Sequence, residues 1–462
     1  MFRKLWRDQD GQILLMFTIM VPVIFGMIGL GLEYNRYLML GSELQNLADA
    51  AALAGAKKLD RGAGSRANAI AAATDFGNNN NYTKWSDDNS GDQIASVKVY
   101  DSLADLDAGH ESTSDTTAAY VKVETVYRGV NPILLLAAGA TGTKSVMATA
   151  TAVSQYVACN VQPLMLCNPN EPADFNPAVG TLFGFTQQGD GTSPGDFSLL
   201  DPAGRTNSGA TAIRNLLSQT SPNVCYIDQL SPRPGQTASS VSDGINVRFD
   251  MQPSGNNQLS GLDQTPAPNV IKGITPKITG NGCSWTGNLG PQPPAHAPMP
   301  PDTDTALIPG TTLYMGTTMD STWANDYWTY HHGSGTWPAG LSRYQVYMME
   351  QGLLSGYTAP AWAAGSENAS PQCAPTAVRT AGDYTRRMIS VAIVNCQDQI
   401  VKGNNPPKVE TTKYADFFIT NAVQSSGGAN VKGVIFAEFV RMMTPQSDGS
   451  KLHQIVQLVR DY

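Results

Sequence analysis

Between Ile13 and Leu32 the chain reads ILLMFTIMVPVIFGMIGLGL, twenty residues without a charge. A helix of that length is about 30 Å long, the thickness of a bilayer's hydrocarbon core. A buried helix of a water-soluble domain rarely avoids charge over such a span, because one of its sides ordinarily meets water. A cleaved export signal would carry roughly 7–15 apolar residues and a small-residue site directly after them. Here Glu33, Tyr34, Asn35 and Arg36 follow, and the first small-residue cluster, Ala48 to Ala56, starts 16 positions after Leu32. The segment therefore reads as a retained anchor. Arg3, Lys4 and Arg7 precede it. Cytoplasmic flanks favour Lys and Arg, so residues 1–12 are expected inside and the remainder of the chain outside. Pro22 lies mid-span, where lipid tolerates it as a kink. Gly26, Gly29 and Gly31 form a stretch small enough for a second helix to approach.

The helical pattern continues beyond the span. Tyr37, Leu40, Leu44, Leu47, Ala51 and Ala54 recur at steps of three and four, which places them on one stripe. A single helix over residues 13–58 would be roughly 69 Å long. Its stripe either packs on the chain's own domain or packs among similar rods in an assembly. Under the second reading, Asp at Leu47 or Ala51 weakens association with partner subunits and leaves insertion intact. Pro22, Gly26, Gly29 and the stripe are the candidate helix-packing residues.

Charged residues make up 15% of the 462, against roughly 25% in a typical soluble domain. With a net charge of −8, the clustered cations of a phosphate-neutralising nucleic-acid binder are absent. An apolar fraction of 41% excludes a wholly disordered chain. The patterns beyond the anchor predict an α+β protein. Residues 59–157 form one α+β domain, with strands at Ile94–Tyr100, Tyr120–Tyr127 and Thr143–Val153. Residues 158–462 form a larger, β-rich region with a candidate division near 310. There Thr211–Ser218 and Leu341–Leu353 read as helices. Ile245–Phe249, Met388–Cys396, Tyr414–Ile419, Val431–Met443 and Leu452–Val459 read as strands. Gln292–Pro301, with five prolines, reads as a loop or linker.

All six cysteines, Cys159, Cys167, Cys225, Cys283, Cys373 and Cys396, follow the apolar span. An even number confined to the exported part suits disulfides in an oxidising compartment. Six cysteines allow 15 pairings. The local pairs Cys159–Cys167 and Cys373–Cys396 are the simplest expectation. No C-x-x-C occurs and no His neighbours a Cys pair, so zinc ligation is not expected.

Other chemical signals are thin. Gly139-Ala-Thr-Gly-Thr-Lys-Ser lacks the Gly that a phosphate loop places before its Lys. Asp87 to Asp92 resembles a calcium loop, but its Gly is misplaced and no closing Glu follows. The five histidines form no H-E-x-x-H, and no G-x-S-x-G occurs. His331 and His332 lie among Trp323, Tyr327, Trp328, Tyr330 and Trp337, a cluster expected to be a surface loop packed by its own rings. Its alternative use is a glycan- or peptide-binding groove. No catalytic, cofactor or metal residue is assigned.

One run carries a family resemblance. Gly11 to Leu38, followed by Leu44-Gln-Asn-Leu-Ala-Asp-Ala-Ala-Ala-Leu-Ala-Gly-Ala, resembles the N-terminus of TadE/TadG-like proteins, pilin-like membrane proteins of tight-adherence (Flp) pilus assembly. The large region beyond it is most similar to the TadG branch. The resemblance extends to Tyr120–Tyr127, Pro132–Ala138 and Lys144–Val153, and implies that residues 59–157 are pilin-like. It implies a non-enzymatic, single-pass inner-membrane component supporting pilus biogenesis, secretion and surface attachment through contacts with other pilin-like proteins. The alternative is an anchored extracytoplasmic adhesin or hydrolase. Processed prepilins carry Glu five residues after the cleaved Gly. Met16 occupies that place after Gly11, so the anchor is expected to remain uncut.

Overall fold

The computed structural model describes residues 9–79, 92–115, 117–131, 144–171, 173–186, 195, 197–201, 209–227, 229–233, 238–253, 264–270, 277–280, 282–284, 298–309, 313–363, 371–376, 382–397, 407–411, 413–423, 434–443 and 451–459. They make an α+β protein of two compact units. The first comprises Met1–Gln155 with Gln454–Tyr462, and the second Tyr156–His453.

Helices α1 (Gln9–Ala56) and α2 (Ser65–Asn79) dominate the first unit. Strand β1 (Ile94–Tyr100), the short helix α3 (Leu103–Ala108) and strand β2 (Tyr120–Thr125) follow. Then come β3 (Arg128–Val130), β4 (Lys144–Val146) and β5 (Thr149–Cys159). Strands β1, β2, β5 and the C-terminal strand Leu452–Val459 lie side by side in one sheet, while β3 and β4 form a separate hairpin. Alternation explains the layering. On β2, Val121, Val123 and Thr125 are buried, whereas Lys122 and Glu124 on the other face pair at 3.4 Å. The buried face, with Ala150 and Ala152 of β5, receives α1 and α2.

The second unit holds β6 (Leu164–Cys167), β7 (Leu182–Thr186), β8 (Phe197–Asp201), α4 (Ala210–Ser218), β9 (Cys225–Ile227), β10 (Gln229–Arg233) and α5 (Ala238–Asn246). It continues through β11 (Lys277–Thr279), β12 (Gly282–Ser284), β13 (Ala306–Leu307), β14 (Leu313–Gly316), α6 (Ser321–His332) and α7 (Arg343–Glu350). Strands β15 (Met388–Val394), β16 (Val409–Glu410), β17 (Lys413–Ile419) and β18 (Val434–Met442) complete it. The C-terminal strand is β19. Ten strands form one sheet in the order β13-β14-β7-β18-β17-β15-β6-β8-β10-β16. Only β15 and β6 run parallel among the pairs described. Strand β15 reads MISVAIV and is buried throughout, because the sheet is covered on both faces. One face stacks Phe183, Phe185, Phe417 and Phe439 beneath Ile213 and Leu217 of α4 and Val241 and Ile245 of α5. On the other, Met388 and Phe418 meet Tyr327 of α6 and Val346 and Tyr347 of α7.

A buried ionic triad seats α7. Arg343 contacts Asp302 and Glu438, the latter at 3.2 Å, and all three side chains are almost wholly buried. Glu438, on the central strand β18, also accepts from the backbone N–H groups of Arg343 and Tyr344 at 2.9 and 3.0 Å. Burial pushes the carboxyls of Asp302 and Glu438 up, and the Arg343 guanidinium opposes that.

Several expectations require correction. The six cysteines do pair, but as Cys159–Cys225, Cys167–Cys396 and Cys283–Cys373. Neither local pair forms. Cys159 faces Cys225 across the β5–β9 ladder, and Cys167 ends β6 while Cys396 follows the parallel neighbour β15. Sheet pairing thus overrides proximity in sequence. Ile245–Phe249 is not a strand: it ends α5 and enters a 3-10 turn, Val247–Phe249. Val241 and Ile245, four apart, supply a helical contact with the core that a five-residue window hides. Helices α2 and α3 lie where no helix was expected. The run Asp87–Asp92 falls, but for Asp92, outside the described residues, as does 139–145 but for Lys144 and Ser145. Pro132–Ala138 lies wholly outside them, and Gln292–Pro301 outside but for 298–301.

Candidate functional site

The most conspicuous surface belongs to α1, a helix with two environments. From Leu14 to Leu32 its large apolar side chains are 40–74% exposed. Tyr34, Leu38 and Met39 remain exposed too, and then Leu40 is fully buried. This part of α1 is the one described helix long and apolar enough to cross a membrane. Pro22 sits inside it without a backbone N–H to give, so the carbonyl of Thr18 loses its helical donor. The Thr18 hydroxyl donates to Leu14 O at 2.6 Å, and the Asn35 amide to Gly31 O at 2.8 Å. Thr18 and Asn35 thus each spend a side-chain hydrogen on their own helix, which suits a surrounding that offers no water. Gly26 is half-buried and Gly29 buried.

The second half of α1 is locked into the first unit. Leu40, Leu44, Leu47 and Ala51 are fully buried in the unit's core, and Tyr37 and Ala54 are half-buried. The seam against α2 is built of small residues: Ala51, Ala52, Gly55 and Ala56 meet Ala69 and Ala73. A Cβ on Gly55 would stand 3.0 Å from Ala69 O and 3.1 Å from both Ala73 Cβ and Val121 Cγ1. Only hydrogen fits there without movement, so the Ala-Gly-Ala ending of the run has a steric cause. This corrects the intersubunit reading of Leu47 and Ala51: they are internal, and a charge there attacks the unit's own core.

The connection between these two helices is tied down by distant side chains. The Asp115 carboxylate accepts from the backbone N–H groups of Gly64 and Arg66 at 2.8 and 3.2 Å, at the start of α2. Those bonds to the charged form hold the Asp115 carboxyl below its ordinary value. On the α1 side of the connection, the Gln454 side-chain amide donates to Ala56 O, Leu59 O and Ser154 Oγ at 3.3, 3.2 and 2.9 Å. The last carbonyls of a helix lack helical donors, and Gln454 supplies one.

The aromatic cluster is a helix rather than a loop. Asp320 caps α6 by accepting from Thr322 N and Trp323 N, both at 3.0 Å. The rings turn inward: Tyr327 is 1% exposed and Trp337 8%. The Trp337 indole donates to Leu341 O at 3.0 Å, the Trp323 indole to Pro298 O at 2.9 Å, and the Tyr327 hydroxyl to Glu350 at 3.0 Å. His332 sits between Glu350 and Ala361 O, at 3.2 and 3.0 Å. These polar tips are used inside the unit.

Sequence reasoning missed one arrangement with the reach of nucleophile and base. The Lys451 ammonium lies 3.1 Å from Ser390 Oγ, which in turn donates to Asp416 at 2.7 Å. Ser390 is fully buried in β15, and Asp416 also accepts from Arg441 at 3.0 Å. This chain of bonds fastens β15 to β17. Among the described residues no group of three or more His, Cys, Asp or Glu could hold a metal ion.

Residues 11–58 match the Tad family model, whose description is "Putative Flp pilus-assembly TadE/G-like". The match covers almost all of α1 and stops at the two lysines after it. Neither a curated protein nor a solved structure matches the chain.

Proposed function

Taking the TadE/G-like character of residues 11–58 as premise, we propose that this protein is a membrane-anchored component of Flp/Tad-type pilus assembly acting through protein–protein contacts. The observation that carries the proposal is the coincidence of the matched segment with a helix whose first half is apolar and exposed and whose second half is built into a folded unit. Leu14–Met39 spans about 39 Å, enough to cross the hydrocarbon core and enter the interface. Tyr34 and Tyr37 then lie where amphipathic rings favour the headgroup level. Arg3, Lys4 and Arg7 favour a cytoplasmic N-terminus, with the chain beyond the span on the far side of the inner membrane. Three disulfides suit that compartment. The role is structural and directs neither catalysis nor a cofactor. Its partners are other pilin-like assembly proteins, and its output is pilus biogenesis with the secretion and attachment that depend on it.

Deletion of the gene followed by imaging tests the reading. Loss of surface pili, restored by the full chain, is the expected result. Normal pili would refute it. Labelling of single cysteines placed at residue 5 and residue 60 in intact and permeabilised cells tests the orientation separately.

A further inference from the structure

Strand β9 is fixed to β5 by a bond that a thiol can reach. Cys225 stands directly opposite Cys159 on the antiparallel β5–β9 ladder, and the two form a disulfide. Asn160 N–H donates to Val224 O at 2.8 Å. The next register, Cys159 with Cys225, therefore falls where an antiparallel ladder carries no backbone bond between its strands. Cys159 N–H is spent on Lys451 O instead, so the sulfurs are the tie between β5 and β9 at that point. Cys225 is exposed and Cys159 half-buried. Cys167–Cys396 is the opposite case. Its residues are 0% and 1% exposed, and the Glu171 carboxylate accepts from Cys396 N–H at 2.7 Å. Cys283 and Cys373 are both half-buried.

Opening the exposed bond leaves β9 held by other means. Tyr226, 2% exposed, packs in a core cluster with Ala158 and Val161. Beyond β9, strand β10 pairs with β8 over three residues. We infer that Cys159–Cys225 is a thiol-exchange site, opened at Cys225 by a dithiol protein or a small dithiol while the fold persists. A disulfide yields to an attacking thiolate according to access, and exposed disulfides are the labile ones. One thiolate of the dithiol bonds to Cys225 Sγ, the Cys159–Cys225 bond breaks, and its electron pair leaves on Cys159 Sγ. The second thiolate of the dithiol then attacks its own partner sulfur in the mixed disulfide and releases Cys225. The dithiol is oxidised to a disulfide, the cystine is reduced to two thiols, and the two protons of the dithiol end on Cys159 and Cys225. An oxidised dithiol reverses the exchange, because the ladder keeps the two residues opposite each other. The bond is thus a covalent lock on β9 that the redox state of the surroundings sets.

The test uses the full-length protein in detergent micelles under limiting dithiothreitol. Samples are quenched in acid, alkylated with N-ethylmaleimide and mapped by mass spectrometry, while near-ultraviolet circular dichroism is followed in parallel. Cys159 and Cys225 are expected to become alkylated roughly tenfold or more faster than Cys167 and Cys396, with the dichroism unchanged as they do. Equal rates, another pair opening first, or loss of the dichroism together with the Cys159–Cys225 bond overturns the site. Glutathione, a monothiol, tests the point of attack under the same quench. It is expected on Cys225, and recovery of it mainly on Cys159 overturns the assigned direction.

Discussion

Gly55 faces the backbone of Ala69, so close that a Cβ on Gly55 would stand 3.0 Å from the Ala69 carbonyl oxygen. This contact sets how near α2 approaches α1, and the sheet residue Val121 bounds the same space. A Gly55→Leu substitution must push the helices apart. It is expected to lower the stability of the first unit by about 1–3 kcal/mol, as overpacking does in other cores. Gly31→Ala is the control, since nothing lies within 4 Å of that position. Thermal unfolding of both variants decides the matter, and equal melting temperatures would contradict the steric account.

The two halves of α1 are expected to fail in different ways. Leu47→Ala removes a fully buried side chain and should cost about 2–5 kcal/mol of folding stability without affecting membrane integration. Ile24→Arg changes an exposed side chain and should leave the folded unit intact, but disfavour insertion by about 2.5–3.5 kcal/mol. Carbonate extraction reads the second effect and hydrogen exchange in α2 the first. Identical behaviour of the two variants would dissolve the distinction.

Acid should loosen the start of α2. The folded Asp115 carboxyl lies below its unfolded value, so its contribution is fully present above the unfolded pKa and lost as pH falls through the folded one. Amide exchange of Gly64 and Arg66 is expected to accelerate below the ordinary carboxylate range. Asp115→Ala should show fast exchange at every pH, and a variant that keeps the wild-type pH dependence would rule this cap out.

The triad behind α7 has the opposite sign. The carboxyls of Glu438 and Asp302 titrate above their unfolded values, so the folded state binds more protons and stability falls as pH rises between those values. Arg343→Met leaves two buried carboxylates without their cation and should cost about 3–5 kcal/mol at neutral pH. Part of that loss is expected to return on acidification. Denaturant titrations of wild type and variant at pH 4.5 and pH 8 would show it, and a pH-independent difference would count against the triad.

Large, regularly spaced side chains made much of this molecule legible in its sequence. The α1 stripe at Leu40, Leu44 and Leu47 and the alternating strand Tyr120–Thr125 need no partner to be recognised. Helix α2 escaped notice because its buried face is Ala69, Ala73 and Gly77, residues too small to stand out as an apolar period. Its helicity makes sense only once Gly55 is opposite. The disulfides were hidden for another reason. Cys167 and Cys396 are joined across 229 positions by the parallel pairing of β6 and β15, and pairing partners in a ten-stranded sheet are not encoded locally. The apolar span Ile13–Leu32 within the exposed half of α1 could be read directly from composition. The boundary of that half could not, because Met39 and Leu40 differ in burial without differing in chemistry.

That boundary lies inside an unbroken helix. No joint separates the half that meets the surroundings from the half that forms the core. Each residue of α-helix turns the chain by about 100°, so the azimuth of Leu14–Met39 dictates the azimuth of the unit built on Leu40–Ala56. Whatever grips the helix between Pro22 and Met39 therefore holds a crank: a twist or tilt applied there is carried to the small-residue seam around Gly55.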